Sequence, residues 1–269
     1  LHLWLPNAYS FAPSAVTAFL AATATKVAVY VMLRFMFTVF GFDYEFQAAT
    51  LEVVVLPLAI LAMFAASLVA IFQDDLKRML AYSSVAQIGY ILLGLAFLTD
   101  TGLTATIIHL FNHAVTKGAL FMVAGCYVLM AGTSSISGLP GVGRDIPWTT
   151  AAFVVAGFSL IGLPLTVGFI SKWYLVQAAL ELGWWPVALL IMASSLLAIV
   201  YVWRVVETAY LQPAPEGVTR KEAPPSMLIP VWILVAMSIW FGINAMTTSA
   251  AASRAADMLI GSSQILWED

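Results

Sequence analysis

The chain has 269 residues, of which 62% are hydrophobic and only 9% charged; its mean hydropathy is +0.97 and its formal net charge −3. Soluble domains carry about 25% charged residues, so this composition excludes a water-soluble globular fold. The small negative charge and the lack of a basic run exclude a nucleic-acid partner. One cysteine, Cys126, rules out an internal disulfide or cysteine metal site, and three histidines leave little for metal or haem, so no cofactor is expected.

A membrane-spanning helix needs about 20 mostly apolar residues. In chain order the stretches that qualify are A (13–40), B (48–72), C (78–98), D (102–131), E (148–182, with an internal break), F (185–210) and G (226–247), followed by a short amphipathic tail over 250–260. They predict an all-α polytopic transmembrane helix bundle of about seven spans, forming a single membrane domain over 1–269. The segments of alternating polarity that mark a transmembrane β-barrel are missing. Polar stretches separate the helices: Gly41-Phe42-Asp43-Tyr44-Glu45 between A and B, Gln73 to Arg78 between B and C, Gly132 to Pro147 between D and E, and the proline-rich Gln212 to Pro225 between F and G. The chain opens at Leu1 with neither methionine nor a charged leader, so no signal peptide is read and the expectation is a fragment lacking an N-terminal half.

Seven crossings alternate sides, so the loop charges carry a sign. Lys77, Arg78, Arg144, Arg204, Arg220 and Lys221 fall on the side that follows B, D and F, whereas Arg34 and Arg254 fall on the other. That second side holds the acidic residues Asp43, Glu45, Asp100, Glu181, Asp257, Glu268 and Asp269. Lysine and arginine accumulate on the cytoplasmic side of membrane proteins. The B–C, D–E and F–G loops are therefore expected in the cytoplasm and the C-terminus opposite, in a cell (inner) membrane. Arg34 and Arg204, near helix ends, are expected to snorkel to water, and Trp148, Trp184, Trp185, Trp203 and Trp232 to lie at the interfaces.

Three lysines break the loop pattern: Lys26 in the middle of A, Lys117 in the middle of D and Lys172 in the second half of E. A charge at the bilayer centre costs at least about 2.5–3.5 kcal/mol on insertion scales, and such residues mark ion or proton pathways. The competing structural reading is a lysine paired with a carboxylate or capping a broken helix. On D, His109, His113 and Lys117 stand at i, i+4 and i+8, which stacks them on one helix face. Histidine exchanges a proton near neutral pH, and burial lets a lysine alternate between neutral and charged forms. Aligned over about 12 Å of helix, these groups can pass a proton. On E, Gly162, Pro164 and Gly168 interrupt the helix just before Lys172. Proline removes a donor from the ladder and disfavours helix at the residue before it, so an unwound hinge at membrane depth is expected, a recurring device of transporters.

The same residues carry a family resemblance. Leu3-Trp4-Leu5-Pro6-Asn7-Ala8, Ala12-Pro13-Ser14-Ala15-Val16, Asp75-Leu76-Lys77-Arg78-Met79-Leu80-Ala81-Tyr82-Ser83-Ser84, Asn112-His113 to Phe121, and Gly162-Leu163-Pro164 to Lys172 cover most of the chain. Together they resemble the antiporter-like subunits shared by respiratory complex I (NADH-quinone oxidoreductase), Mrp-type cation/proton antiporters and membrane-bound hydrogenases. The stretch Phe169-Ile170-Ser171-Lys172-Trp173-Tyr174, with Trp184-Trp185 and Tyr201 to Glu207, is most similar to the MrpD-type antiporter component. The resemblance implies the C-terminal half of a fourteen-helix antiporter-like fold. It implies Lys26 and Lys117 as proton carriers on a central axis, Lys172 as the terminal exchanger, and His109 and His113 as the extension of the relay. It also implies other membrane subunits as partners, protons as the transported ions and sodium as the candidate counter-transported cation. Asn7 and Tyr9 depart from the aspartate and histidine usual in the family, and the family's charged residues of the preceding half lie upstream, so the chain alone is not expected to move protons. No dinucleotide fingerprint or cysteine cluster is present, so any redox chemistry belongs to partners.

Overall fold

The structure, a computed structural model, describes residues 4–39, 49–215, 217 and 219–265. Its helices are α1 (Trp4–Phe11), α2 (Ser14–Arg34), α3 (Leu56–Ile71), α4 (Leu76–Ala96), α5 (Asp100–Ala131), the single turn α6 (Val142–Asp145), α7 (Pro147–Ile161), α8 (Val167–Glu181), α9 (Trp185–Tyr210), α10 (Pro225–Ile243) and α11 (Ala245–Ile265). A π-helical turn, Phe35–Val39, continues α2, and another, Leu51–Val55, leads into α3. The only β feature among the described residues is one antiparallel bridge between Asp75 and Ser135.

Local chemistry sets the helix ends. Asp75 caps α4 by accepting from the Arg78 amide at 2.7 Å, and Thr99 caps α5 by accepting from the Gly102 amide at 3.0 Å. Gly132, at φ 73°, closes α5 in the left-handed region that glycine enters without penalty. Prolines open α7, α9 and α10, where a missing amide proton costs nothing.

Six segments are long and apolar enough to cross a membrane: Ser14–Val39, Leu51–Ile71, Leu76–Ala96, Asp100–Ala131, Trp185–Tyr210 and Pro225–Ile243. The seventh predicted span, E, is divided into α7 and α8, each 15 residues or about 22 Å long, and only the pair matches a bilayer core of about 30 Å. The 32-residue α5 is the central pillar: α2, α4, α7, α8, α10 and α11 all pack on it. Where α4 crosses α5, a Cβ on Gly94 would lie 2.9 Å from the Gly102 carbonyl oxygen, so this crossing needs glycine.

The B–C, D–E and F–G loops meet at one end of the bundle. Leu76 N–H donates to the Ser134 carbonyl at 2.7 Å, and Ile136 N–H to that of Asp74 at 2.6 Å. Arg220 pairs with Asp145 at 3.3 Å, and Glu222 accepts from the Trp148 amide at 2.8 Å. Asp100, Thr101, Met246 and Ser249 line a common cleft at the other end, where Thr101 also donates to Glu181 at 3.0 Å. Among the described residues, the loops therefore group at two ends as alternating crossings require.

Four expectations need correction or placement. The tail predicted over 250–260 is the 21-residue α11, and α10 stops at Ile243 rather than near 247, because Asn244 leaves helical geometry at ψ 52°. Arg204 does not snorkel freely: it donates to the Ile71 and Gln73 carbonyls at 2.9 and 2.8 Å and pairs with Asp74 at 3.5 Å. Trp148, Trp185 and Trp203 are exposed as an interfacial belt requires, whereas Trp184 packs on Phe97 and Trp232 on Trp148. The predicted A–B loop (Gly41 to Glu45), Leu3, Glu268 and Asp269 lie outside the described residues.

Candidate functional site

The expected break in E is real and irregular. α7 ends at Gly162 (φ 90°, left-handed), whose amide donates to the Phe158 carbonyl at 2.9 Å. Leu165 also has a positive φ, 71°, uncommon for a residue with a side chain. Five residues, 162–166, separate the two half-helices, with Pro164 exposed among them and Gly168 buried in the first turn of α8. Non-helical backbone at membrane depth is tolerated only when protein or a wet cavity covers it. α10 covers its second half, where Gly242 packs on the Leu165 and Thr166 backbone, while the side chains of Leu163, Pro164 and Leu165 stay exposed. Lys172 folds back across the break and donates to the Leu160 and Ile161 carbonyls at 3.2 and 2.7 Å, two of the acceptors that a helix C-terminus leaves open. Its ammonium also stands 4.8 Å from the centre of the Tyr90 ring, a cation–π contact.

His109, His113 and Lys117 line one buried face of α5, and all three are at most 3% exposed. His109 is the junction of three helices: its Nδ1 meets Ser171 Oγ on α8 at 2.8 Å and its Nε2 meets Gln87 Oε1 on α4 at 3.0 Å. Ser171 adjoins Lys172, and Tyr90 lies between Lys172 and His109, with Tyr90–His109 ring centres 5.7 Å apart. His113 stacks under His109 at 6.3 Å, yet neither of its ring nitrogens has a hydrogen-bond partner, and the Asn112 side-chain oxygen beside it has none either. Buried polar atoms of this kind are the usual hosts of internal water. Lys117 donates to the Leu80 carbonyl at 2.8 Å and to the Ser83 hydroxyl. Lys26, on α2, donates to the Ala21 carbonyl of its own helix. α2 meets α5 close by, with the Ala22 side chain against Gly118.

Among the described residues, no carboxylate pairs with Lys26, Lys117 or Lys172; the ion pairs, Arg204–Asp74 and Arg220–Asp145, lie at the loop end. Nor does any of the five lysine and histidine residues hydrogen-bond directly to another. The structure joins His109 to Lys172 through Ser171 and Tyr90, stacks His113 below, and leaves Lys117 and Lys26 on separate acceptors.

Sequence reading passed over Ser83, Gln87 and Tyr90. They fall at i, i+4 and i+7 on α4 and put a polar stripe toward α5 in a helix that is buried almost throughout. That helical spacing within an apolar run was the available signal. Thr116, which meets Ser159 Oγ at 2.9 Å, gave no such signal.

The family described as NADH:quinone oxidoreductase/Mrp antiporter, transmembrane, matches residues 1–198. NADH-quinone oxidoreductase subunit N of Desulforudis audaxviator is 44% identical over 252 residues, covering 87% of this chain and 49% of the relative. The D-type component of the Na(+)/H(+) antiporter of Alkalihalophilus pseudofirmus is 30% identical over 263 residues, covering 97% of this chain and 52% of the relative. Among solved structures, a chain of the Mrp complex from Dietzia sp. superposes with a TM-score of 0.86 at 25% identity, over 96% of this chain and 55% of its own length. A chain of the archaeal membrane-bound sulfane sulfur reductase superposes with a TM-score of 0.85 at 29% identity, over 97% and 52%. The chain spans about half the length of the curated relatives it matches.

Proposed function

Given that the chain belongs to the NADH:quinone oxidoreductase/Mrp antiporter transmembrane family, we propose that it forms the proton-carrying part of an antiporter-like subunit in a multi-subunit monovalent cation/proton antiporter. The observation that carries this reading is the buried file His109–His113–Lys117 on α5, linked by Ser171 to the helix that holds Lys172. With no carboxylate alongside among the described residues, a proton arriving on one member repels a proton on the next, so charge advances stepwise from Lys172 through the histidines to Lys117 and Lys26. Water at His113 completes the gap between the histidines and Lys117. Gly162, Pro164 and Gly168 form the hinge that alternates the access of Lys172. The end that gathers Lys77, Arg78, Arg144, Arg220 and Lys221 faces the cytoplasm, and other membrane subunits flank the bundle.

The test uses everted vesicles that contain the full-length parent in its complex, with a dye that reports the pH gradient. A sodium pulse should collapse the gradient in wild type and leave it standing in Lys117→Ala; collapse of equal size in both would overturn the assignment of Lys117. A redox-driven pump is the second reading, favoured by the 44% identity to a subunit N. It predicts no sodium response, and loss of NADH-driven acidification in the same variant.

A further inference from the structure

Beside the helix break lies a cavity of about 320 Å³ between α8 and α9, roughly ten water volumes. Its walls are apolar, among them Leu163, Phe169, Trp173, Met192 and Leu196, with Gly162, Lys172 and Ser195 the remaining polar or small contributors. The rim faces outward from the bundle: Trp173, Met192 and Leu196 are 51%, 58% and 62% exposed. The inner end reaches the ammonium of Lys172, since a Cβ on Gly162, itself part of the lining, would stand 3.4 Å from Nζ. Two of the three Lys172 donors are taken by the Leu160 and Ile161 carbonyls, and no carboxylate among the described residues balances its charge. An apolar pocket of this size with one convergent polar group has the form of a small-molecule site.

We infer that this lateral cavity binds a single-chain carboxylic acid from the bilayer, its alkyl chain along the apolar walls and its head group on Lys172. The occupant must pass an apolar mouth at membrane depth, which a permanent anion such as a phosphate or sulfonate head group does only at great cost. A carboxylic acid enters neutral. At the inner end its O–H proton passes to the lone pair of Lys172 in the neutral amine form, one of the two forms between which a buried lysine alternates, which leaves a carboxylate and an ammonium in contact with no net charge added. The pair then gains the charge-assisted hydrogen bond that the protein itself does not supply. An alkane fills the walls but gives Lys172 nothing, and an ester offers only a neutral carbonyl acceptor, with no proton to give and no carboxylate to pair.

This inference does not rest on the transport reading, because occupancy is measured without flux. The parent complex is placed in phosphatidylcholine nanodiscs with a long-chain carboxylic acid bearing a mid-chain diazirine, illuminated, and mapped by peptide mass spectrometry; the methyl ester of the same probe runs in parallel. Labelling of the α8 and α9 walls should exceed that by the ester by about tenfold, and excess stearic acid should suppress it. It should fall to the ester's level in Lys172→Gln. Equal labelling by acid and ester, indifference to stearic acid, or no labelling of these walls in the complex would each overturn the inference. If Lys172→Gln fails to assemble, Leu196→Trp replaces it: this exposed wall position fills the mouth and keeps Lys172, and labelling at Trp173 should drop. Undiminished labelling in Leu196→Trp refutes the site.

Discussion

Replacing Gly168 by alanine tests the broken helix most sharply. A Cβ there would lie 1.8 Å from the Ser159 carbonyl oxygen, and ordinary contact begins at 3.4 Å, so α7 and α8 must part by about 1.6 Å. Overfilling a packed interior costs about 1–3 kcal/mol, and here backbone stands on both sides, so the upper end applies. The parting also carries Ser159 away from Thr116, 2.9 Å distant, and the Leu160 and Ile161 carbonyls away from Lys172. Gly162→Ala is the comparison. Its φ of 90° imposes strain of about 1–2 kcal/mol, but its Cβ meets the flexible Lys172 side chain at 2.9 Å, which can move aside. Thermal unfolding of the full-length complex in detergent, followed by tryptophan fluorescence, should show a midpoint several degrees below wild type for Gly168→Ala, with a smaller fall for Gly162→Ala. A Gly168→Ala variant as stable as wild type would refute the close contact and the account of the break built on it.

Other predictions follow from single contacts. Ser83→Ala removes one of the two acceptors of the Lys117 ammonium; a hydrogen bond to a charged group is worth about 1.5–3 kcal/mol, so proton flux should change at least severalfold while membrane expression stays normal. Glu222→Ala uncovers the first amides of α7, where Glu222 accepts from the Trp148 amide and the Thr149 hydroxyl; a lost cap costs about 1 kcal/mol, read as faster hydrogen exchange over the start of α7. The Asp74 carboxyl is held below its ordinary value chiefly by the Ser135 hydroxyl, against the opposing desolvation, with the Ser137 hydroxyl and amide and then Arg204 adding to the lowering. A depressed carboxylate stabilises the fold above its unfolded pKa and loses that contribution as pH falls through the folded one. The Ser137 amide, bonded to Asp74 at 3.1 Å, should therefore stay protected from exchange through pH 4 and lose protection only in stronger acid. In Asp74→Asn that acid-induced step should vanish, and an unchanged step would contradict the assignment.

Much of this architecture was legible because its causes are local. Runs of apolar residues place the spans, and the proline and glycines at 162–168 place the break. The i, i+4, i+8 spacing puts His109, His113 and Lys117 on one face whatever surrounds α5. What was hidden depends on distant partners. Spacing marks Ser83 as part of a polar stripe, but it serves Lys117 from 34 residues away, as Ser171 serves His109 from 62, and no spacing rule names a partner that distant. The fold-back of Lys172 onto Leu160 and Ile161 follows from the geometry of the break, so the lysine is both a cap and a candidate carrier; the two readings offered by sequence coexist in one side chain. The partners of Arg204 were hidden for the same reason, since its acceptors at Ile71 and Gln73 come from another helix end, although its place at the loop end was foreseen. The length of α11 escaped notice because its buried face consists of small residues, among them Ala252 and Ala256, too weak a pattern to set its bounds.

The most direct measurement is proton flux in proteoliposomes that hold the full-length parent complex, with Lys117→Met set beside Glu222→Gln. Methionine keeps the length and apolar body of the lysine and removes its charge, whereas Glu222 lies at the loop end, away from the buried file. The account predicts assembled complexes in both cases, flux abolished in Lys117→Met and retained in Glu222→Gln. Wild-type flux through an assembled Lys117→Met complex would contradict it.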